Sequence, residues 1–297
     1  MRILVAEYAV GKGMDGYMLE GRAMLNVLVR SFASCGHEVF YPTAGERLGT
    51  GKAVITAGFE ASIEKLSKEC DAAMVIAPDE MLGDLTEIVE ENTENLGCPS
   101  YSVRLCADKL KCTRALEQEK IPVPETVEKE YKGDFVIKPR YGCASEGIHK
   151  SHSGVLKEGF IATRFIEGEH ISASIITGRT QLPLTVNRQL IEIGDRISYK
   201  GGIVPYYCDR NDEIIDVAKR TAKVLGCRGY AGVDIVLGDK PYVVDVNPRP
   251  TTSIIGIAKV LETEIAELIL KARFGELPAH VDVKGSFTFK KEDLFCL

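Results

Sequence analysis

The sequence predicts an α/β domain joined to an α+β unit, and three features of the chain carry that assignment. Over the first hundred residues, short apolar runs alternate with longer amphipathic ones, the rhythm of a parallel sheet covered on both faces. Ile121-Pro122-Val123-Pro124 then closes a helical pattern with two prolines, which marks the start of a new unit. Beyond it, strand-like runs follow one another at hairpin spacing, a pattern of α+β rather than of a second parallel unit.

Each element follows from its pattern. Arg2 to Ala6 and Glu38 to Tyr41 read as strands, and Glu20 to Ser34 between them as an amphipathic helix. Phe59 to Cys70 reads as a helix, Ala72 to Ala77 as a buried strand, Leu82 to Leu96 as a helix and Pro99 to Val103 as a strand. Residues 1–105 are therefore expected to form a Rossmann-like domain. A Lys-rich amphipathic helix spans 106 to 119. Phe135 to Lys138 is a short strand, Tyr141 to Gly147 a glycine-bearing loop, and Phe160 to Ile166 and Ile171 to Thr177 are strands, giving a second unit over 106–180. The third, 181–297, holds the strand Leu184 to Ile193 and the helix Asp212 to Leu225. Two strands follow, Val233 to Leu237 and Tyr242 to Val246, around the turn Gly238-Asp239-Lys240-Pro241, and a long helix over Ile254 to Phe274 closes the unit.

Composition narrows the function classes. The chain has 297 residues, enough for two or three packed subdomains, and no stretch approaches the roughly 18 apolar residues of a membrane span. With 43 acidic against 37 basic residues and a net charge of -6, binding to nucleic acid by phosphate neutralisation is not expected, and small-molecule partners are. Nine cysteines without a CxxC pair imply neither a disulfide framework nor a zinc cluster. The N-terminus runs straight into the first strand without the features of a signal peptide, so a cytoplasmic location is expected.

Several residues carry chemistry. In a strand, Asp245 and Asn247 point the same way while Val244 and Val246 point into the core, and Asp234 sits on the neighbouring strand. Two carboxylates and an amide oxygen on one sheet face make a hard oxygen site of the kind Mg²⁺ takes; ordinary acids on a solvated hairpin give the same pattern. Arg249 reaches that face with a planar fork for phosphate or carboxylate oxygens. Lys138 ends a strand before the loop holding Gly142, Ser145 and Gly147, whose backbone amides can approach an anion, although from the loop alone a plain β-turn is the first reading. Lys109 begins the helix that introduces this unit, where a surface lysine is the ordinary reading.

The order of these pieces says more than any one of them. It runs from Lys109 through Ile121-Pro122-Val123-Pro124, then Lys138 with its glycine loop, Phe165-Ile166-Glu167-Gly168-Glu169-His170, Asp234, and Asp245-Val246-Asn247-Pro248-Arg249. From about residue 105 to 275 this order resembles the ATP-grasp superfamily, and the upstream part is similar to the smaller domain that precedes it there. The resemblance implies a Rossmann-like domain followed by a two-subdomain ATP-grasp fold. It implies that Lys109 and Lys138 contact nucleotide phosphates, that residues 142 to 147 form a lid loop, and that Thr163, Arg164, Phe165 and Ile166 line the adenine hinge. It further implies two divalent ions, Mg²⁺ or Mn²⁺, on Asp234, Asp245 and Asn247, with Arg249 steadying the transferring phosphoryl group. Asp245 stands where the family has Glu, and the family's ribose-binding Glu falls at His170, leaving Glu169 or Glu167 as substitutes.

The implied reaction is phosphorylation of a carboxylate by ATP to an acyl phosphate and attack by an amine, with Lys138 and Arg249 as the catalytic groups. Arg188 on a central strand is expected to hold the acid, and Glu7 at the carboxyl edge of the first sheet to pair with the amine. A cross-strand ion pair and a helix-capping acid are the alternatives for these two. Tyr199 and Gly201, in a run that resembles short ligases of this family, are assigned to the substrate side, and a homodimer is compatible with the architecture. Other amino-acid ligases, a nucleotide-binding module without turnover, and an NAD-dependent oxidoreductase are the competing readings. The first loop, Gly11-Lys12-Gly13, lacks the dinucleotide fingerprint.

Overall fold

The computed structural model describes residues 1–142, 147–194 and 196–296. The first domain contains β1 (Arg2–Glu7), α1 (Tyr8–Lys12), α2 (Met18–Ser34), β2 (Glu38–Thr43), β3 (Lys52–Ile55), α3 (Phe59–Glu69), β4 (Ala72–Ile76), α4 (Asp79–Asn92) and β5 (Glu94–Asn95). Its strands pair in parallel in the order β3-β2-β1-β4-β5. The unbroken apolar run of β1 follows from burial on both faces: Ile3, Leu4, Val5 and Ala6 are all fully covered. The expected strand at Pro99 to Val103 is instead α5 (Ser100–Ala107). Pro99 serves as its N-cap, and buried Ser100, Val103, Cys106 and Ala107 recur at helical spacing, whereas the sheet edge goes to β5. The expected helix over 106 to 119 is correspondingly cut at Asp108, which caps a separate α6 (Lys109–Gln118).

The next unit is a four-stranded antiparallel sheet of β6 (Thr126–Val127), β7 (Glu130–Pro139), β8 (His149–Val155) and β9 (Phe160–Arg164), ordered β6-β9-β7-β8. It encloses a small apolar cluster of its own, Phe135, Ile137 and Ala162. The last unit comprises β10 (Glu169–Thr177), β11 (Gln181–Ile193), β12 (Ile197–Val204), α7 (Asn211–Val224), β13 (Gly229–Leu237), β14 (Pro241–Asn247), α8 (Ile254–Val260), α9 (Ile265–Phe274) and β15 (Phe287–Lys290). Its sheet is antiparallel, in the order β14-β13-β10-β11-β12-β15. Because β10 lies between β11 and β13, the sheets part between Arg164 and Glu169 rather than at residue 180. The expected single helix over 254 to 274 is broken after Val260, where Leu261 leaves to bridge Val283.

Two apolar clusters bind the first domain to this sheet. One joins Leu4, Ala6 and Val75 to Ile171, Val186 and Val233, and the other joins Ile3, Val5 and Leu25 to Ile176, Leu184 and Ile269. Among the described residues no helix is long and apolar enough to cross a membrane.

Candidate active site

A cleft of about 710 Å³ opens where the carboxyl edge of the parallel sheet, the inner face of the four-stranded sheet and the polar face of the six-stranded sheet converge. Asp234 and Asp245 lie directly opposite one another in the β13–β14 ladder, and the next pairing, Ile235 with Val243, is shifted. Val244 is thus the extra residue of a β-bulge, and the core takes Val243 and Val246 instead of the expected Val244 and Val246. The bulge has a chemical use: the Val244 carbonyl is left to accept a hydrogen bond of 2.7 Å from Lys138 Nζ.

The charged groups form one cluster. Lys109 Nζ lies 3.2 Å from Asp245 Oδ1 and 3.5 Å from Asp79 Oδ2, and an Arg249 Nη lies 3.6 Å from Asp79 Oδ1. Burial opposes the Lys109 charge, but Asp245 and Asp79 outweigh it and hold the ammonium above its usual range. Lys138 moves the other way, because complete burial favours the neutral amine more than Asp245 favours the ammonium. Burial would likewise raise Asp245, yet Lys109 and Lys138 bring it below the usual carboxylate range. Asp234 is pushed up to about 7 by burial and by Asp245, although Asn247 Nδ2 and Gln189 Nε2 donate to it at 3.2 and 2.9 Å.

Two hard carboxylates with an amide beside them fit a divalent cation that shares its remaining positions with water and phosphate oxygens. Among the described residues no cluster of three or more His, Cys, Asp or Glu is arranged to hold a metal unaided. The site therefore suits a cation arriving with a nucleotide rather than a caged one.

Most of the expected site residues meet here. Glu7, Lys109, Lys138, Gly142, Gly147, Thr163, Arg164, Phe165, Ile166, Tyr199, Asp234, Asp245, Asn247 and Arg249 all line the cleft. Ser145 lies outside the described residues. Three others do not line it. Arg188 is exposed, with its guanidinium 5.5 Å over the Tyr206 ring, because alternation along β11 turns its neighbour Gln189 inward instead. Glu169 accepts a hydrogen bond of 2.6 Å from the Tyr206 hydroxyl, and the same alternation gives the cleft to His170, whose pKa burial lowers. Gly201 packs against β15 in the ladder.

Glu7 ends β1 with 5% of its surface exposed, and its Oε2 accepts from Val10 N at 2.8 Å, capping α1. A Cβ on Gly21 would fall 2.5 Å from the Glu7 carboxyl, so α2 passes this close only as glycine. Burial pushes Glu7 up to about 7.

Sequence reasoning missed Asp79, Gln189 and Asp108. The rule that pointed to Glu7 also points to Asp79, just past the carboxyl end of β4. Asp108 accepts two 2.7 Å hydrogen bonds from Arg140 and one of 2.9 Å from Tyr141, so the N-cap of α6 grips the residues leading into the glycine loop. Burial disfavours its charge, but these donors prevail and hold it at about 2. Because the folded value lies below the unfolded one, the stabilisation is present above the unfolded value of roughly 3.9 and is lost as pH falls towards 2. Asp108→Asn is expected to cost about 2 kcal/mol at pH 7, and urea melts should show the difference from the parent shrinking between pH 5 and pH 2. A constant difference across that range excludes the grip as an ionic one.

Comparison with known proteins gives matches over most of the chain. Residues 106–253 match the family described as an ATP-grasp domain. The chain is 32% identical to the tyramine–L-glutamate ligase of Methanocaldococcus fervens, over 97% of this chain and 100% of that protein. It is 30% identical to the tyramine–L-glutamate ligase of Methanocaldococcus jannaschii, over 97% and 94%. Among solved structures, a protein assigned to the ATP-grasp superfamily from Archaeoglobus fulgidus superposes with a TM-score of 0.80 at 29% identity, covering 95% of this chain and 90% of that one.

Proposed function

The chain belongs to the ATP-grasp family and is an ATP-dependent carboxylate–amine ligase, and from that premise we propose that it joins the γ-carboxyl of L-glutamate to the amine of tyramine, giving γ-glutamyltyramine, ADP and phosphate. The observation that carries this reading is full-length similarity to two ligases of that name together with a buried carboxylate, Glu7, at the open edge of the parallel sheet.

The residues divide the work. Lys109 and Lys138 enter the cleft from α6 and β7 and offset phosphate charge, while Arg249 meets the phosphoryl group in transfer. A divalent cation on Asp234, Asp245 and Asn247, Mg²⁺ or Mn²⁺, would neutralise charge on the nucleotide's terminal phosphates. Phe165 and Ile166 offer apolar surface to the adenine at the join between the two antiparallel sheets. The residues on either side of the glycine loop stand over this region, where exclusion of water protects an acyl phosphate from hydrolysis. No protein nucleophile is needed: the carboxylate attacks the γ-phosphorus and ADP leaves; the amine, once its ammonium has given a proton to solvent, displaces inorganic phosphate from the acyl carbon, and the phosphate takes the proton that the nitrogen sheds as the amide forms.

Glu7 pairs with the ammonium of the amine substrate. A carboxylate must be ionised to do so, so amine kcat/KM is expected to rise as pH passes through about 7. Glu7→Gln is expected to raise the amine KM by at least about tenfold, the worth of one charged hydrogen bond, and an unchanged amine KM removes this role. The reading as a whole is tested by ADP release with glutamate, with and without tyramine, read beside the product mass. Equal turnover with other acids or amines would overturn the substrate assignment and leave the ligase chemistry standing.

A further inference from the structure

No motif in the sequence singles out Asp79, yet it stands behind two of the cations in the cleft. It opens α4 at the carboxyl edge of the parallel sheet and is 8% exposed. Its separations from Lys109 and Arg249, 3.5 and 3.6 Å, exceed those of good hydrogen bonds. Asp79 Oδ1, Lys109 Nζ and Arg249 Nε are each buried and make no well-aligned hydrogen bond among the described residues, although Lys109 Nζ is ion-paired with Asp245 at 3.2 Å. Buried polar atoms are nearly always satisfied. Three that are not, from three different elements, converge on one spot, and two of them are donors on cations. Anionic oxygens are the partners this spot is built to take.

Asp79 does not itself line the cleft, so it acts through the two residues that do. The remaining tethers show how. One Arg249 Nη donates to the Pro250 carbonyl at 3.3 Å and the other faces Asp79, which leaves Nε. Lys109 is anchored by its backbone N–H to the Arg140 carbonyl at 3.0 Å and flanked by Asp245 and Asp79. Lys109 and Arg249 carry like charges and repel one another; a carboxylate shared between them keeps both in place. Burial raises the Asp79 pKa, while Arg249, Lys109 and the start of the helix pull toward the charged form that pairs with both cations.

We infer that Asp79 is a positioning residue for phosphoryl transfer, holding Lys109 and Arg249 from behind so that their unpartnered edges meet the oxygens of the group in flight. The inference rests on the ligase reading above. It also gives the first domain a part in the chemistry, since Asp79 belongs to that domain and both cations lie beyond it.

The test uses Asp79→Asn in the full chain. Acyl phosphate is trapped with hydroxylamine as glutamyl hydroxamate, ADP affinity is measured by titration calorimetry, and folding is checked by thermal melting. The expected result is kcat for hydroxamate formation at least about thirtyfold lower, with ADP affinity and ATP KM within threefold of the parent. Asp79→Glu keeps the charge on a longer arm, and partial recovery of kcat is expected. Should Asp79→Asn fail to fold, Asp79→Glu decides alone: a fall in kcat of at least about fivefold at unchanged ADP affinity supports the inference, and parental kcat overturns it. Parental kcat in Asp79→Asn also overturns it, as does a loss matched by an equal loss of ADP affinity, which marks a merely structural carboxylate. Absence of any glutamyl hydroxamate from the parent protein overturns the glutamate assignment, and this inference with it.

Discussion

Asp245→Ala is expected to lower kcat by at least about 10²-fold, the scale on which single electrostatic contributors to a transition state are felt, while the protein still folds. Asp245 faces Asp234 across the ladder and is flanked by Lys109 and Lys138, so on the proposed reading its removal strips both a cation ligand and the carboxylate that opposes the burial of two amino groups. Asp245→Asn keeps the shape and loses only the charge, and should fall nearly as far. The measurement is ADP release at saturating ATP and divalent cation, with thermal melting alongside. A kcat within tenfold of the parent in both variants would remove Asp245 from the reaction and, with it, the assignment of this sheet face as the nucleotide site.

Gly201→Ala is expected to produce the largest loss of stability, with little change in substrate affinity. Gly201 has φ of 148°, a region that side chains avoid, and a Cβ there would come 2.1 Å from the Phe289 carbonyl oxygen. The clash is with backbone, so β15 must move off β12 in the ladder where Gly201 faces Lys290. Strain and overpacking together cost about 3 kcal/mol, roughly 6–12 °C in Tm at about 2–4 °C per kcal/mol for a chain approaching this size. Urea or thermal melts read this directly. Parental stability with a raised KM for the acid would show that Gly201 contacts substrate after all.

The two sites differ in how far sequence could reach them. Asp234, Asp245, Asn247 and Arg249 were legible because strand alternation and motif order both act locally. The bulge at Val244 was not, since an extra residue is defined against a partner strand and the core pattern along β14 reads plausibly either way. Arg188 and Gln189 illustrate the same limit: adjacent residues face opposite sides, and choosing between them needs to know which face carries Asp234. The strand expected at Pro99 to Val103 failed because five apolar and small residues fit a strand or one turn and a half of helix equally well. Asp79 was hidden for a different reason, as its partners lie 30 and 170 residues further along.

The apolar clusters that run from the parallel sheet into the six-stranded one leave no seam between the two halves. Exchanging the first hundred residues for those of another protein would break these clusters unless the interlocking Ile, Leu and Val matched at once. Single substitutions at the rim of the cleft demand no such match, so there the fold tolerates change one side chain at a time.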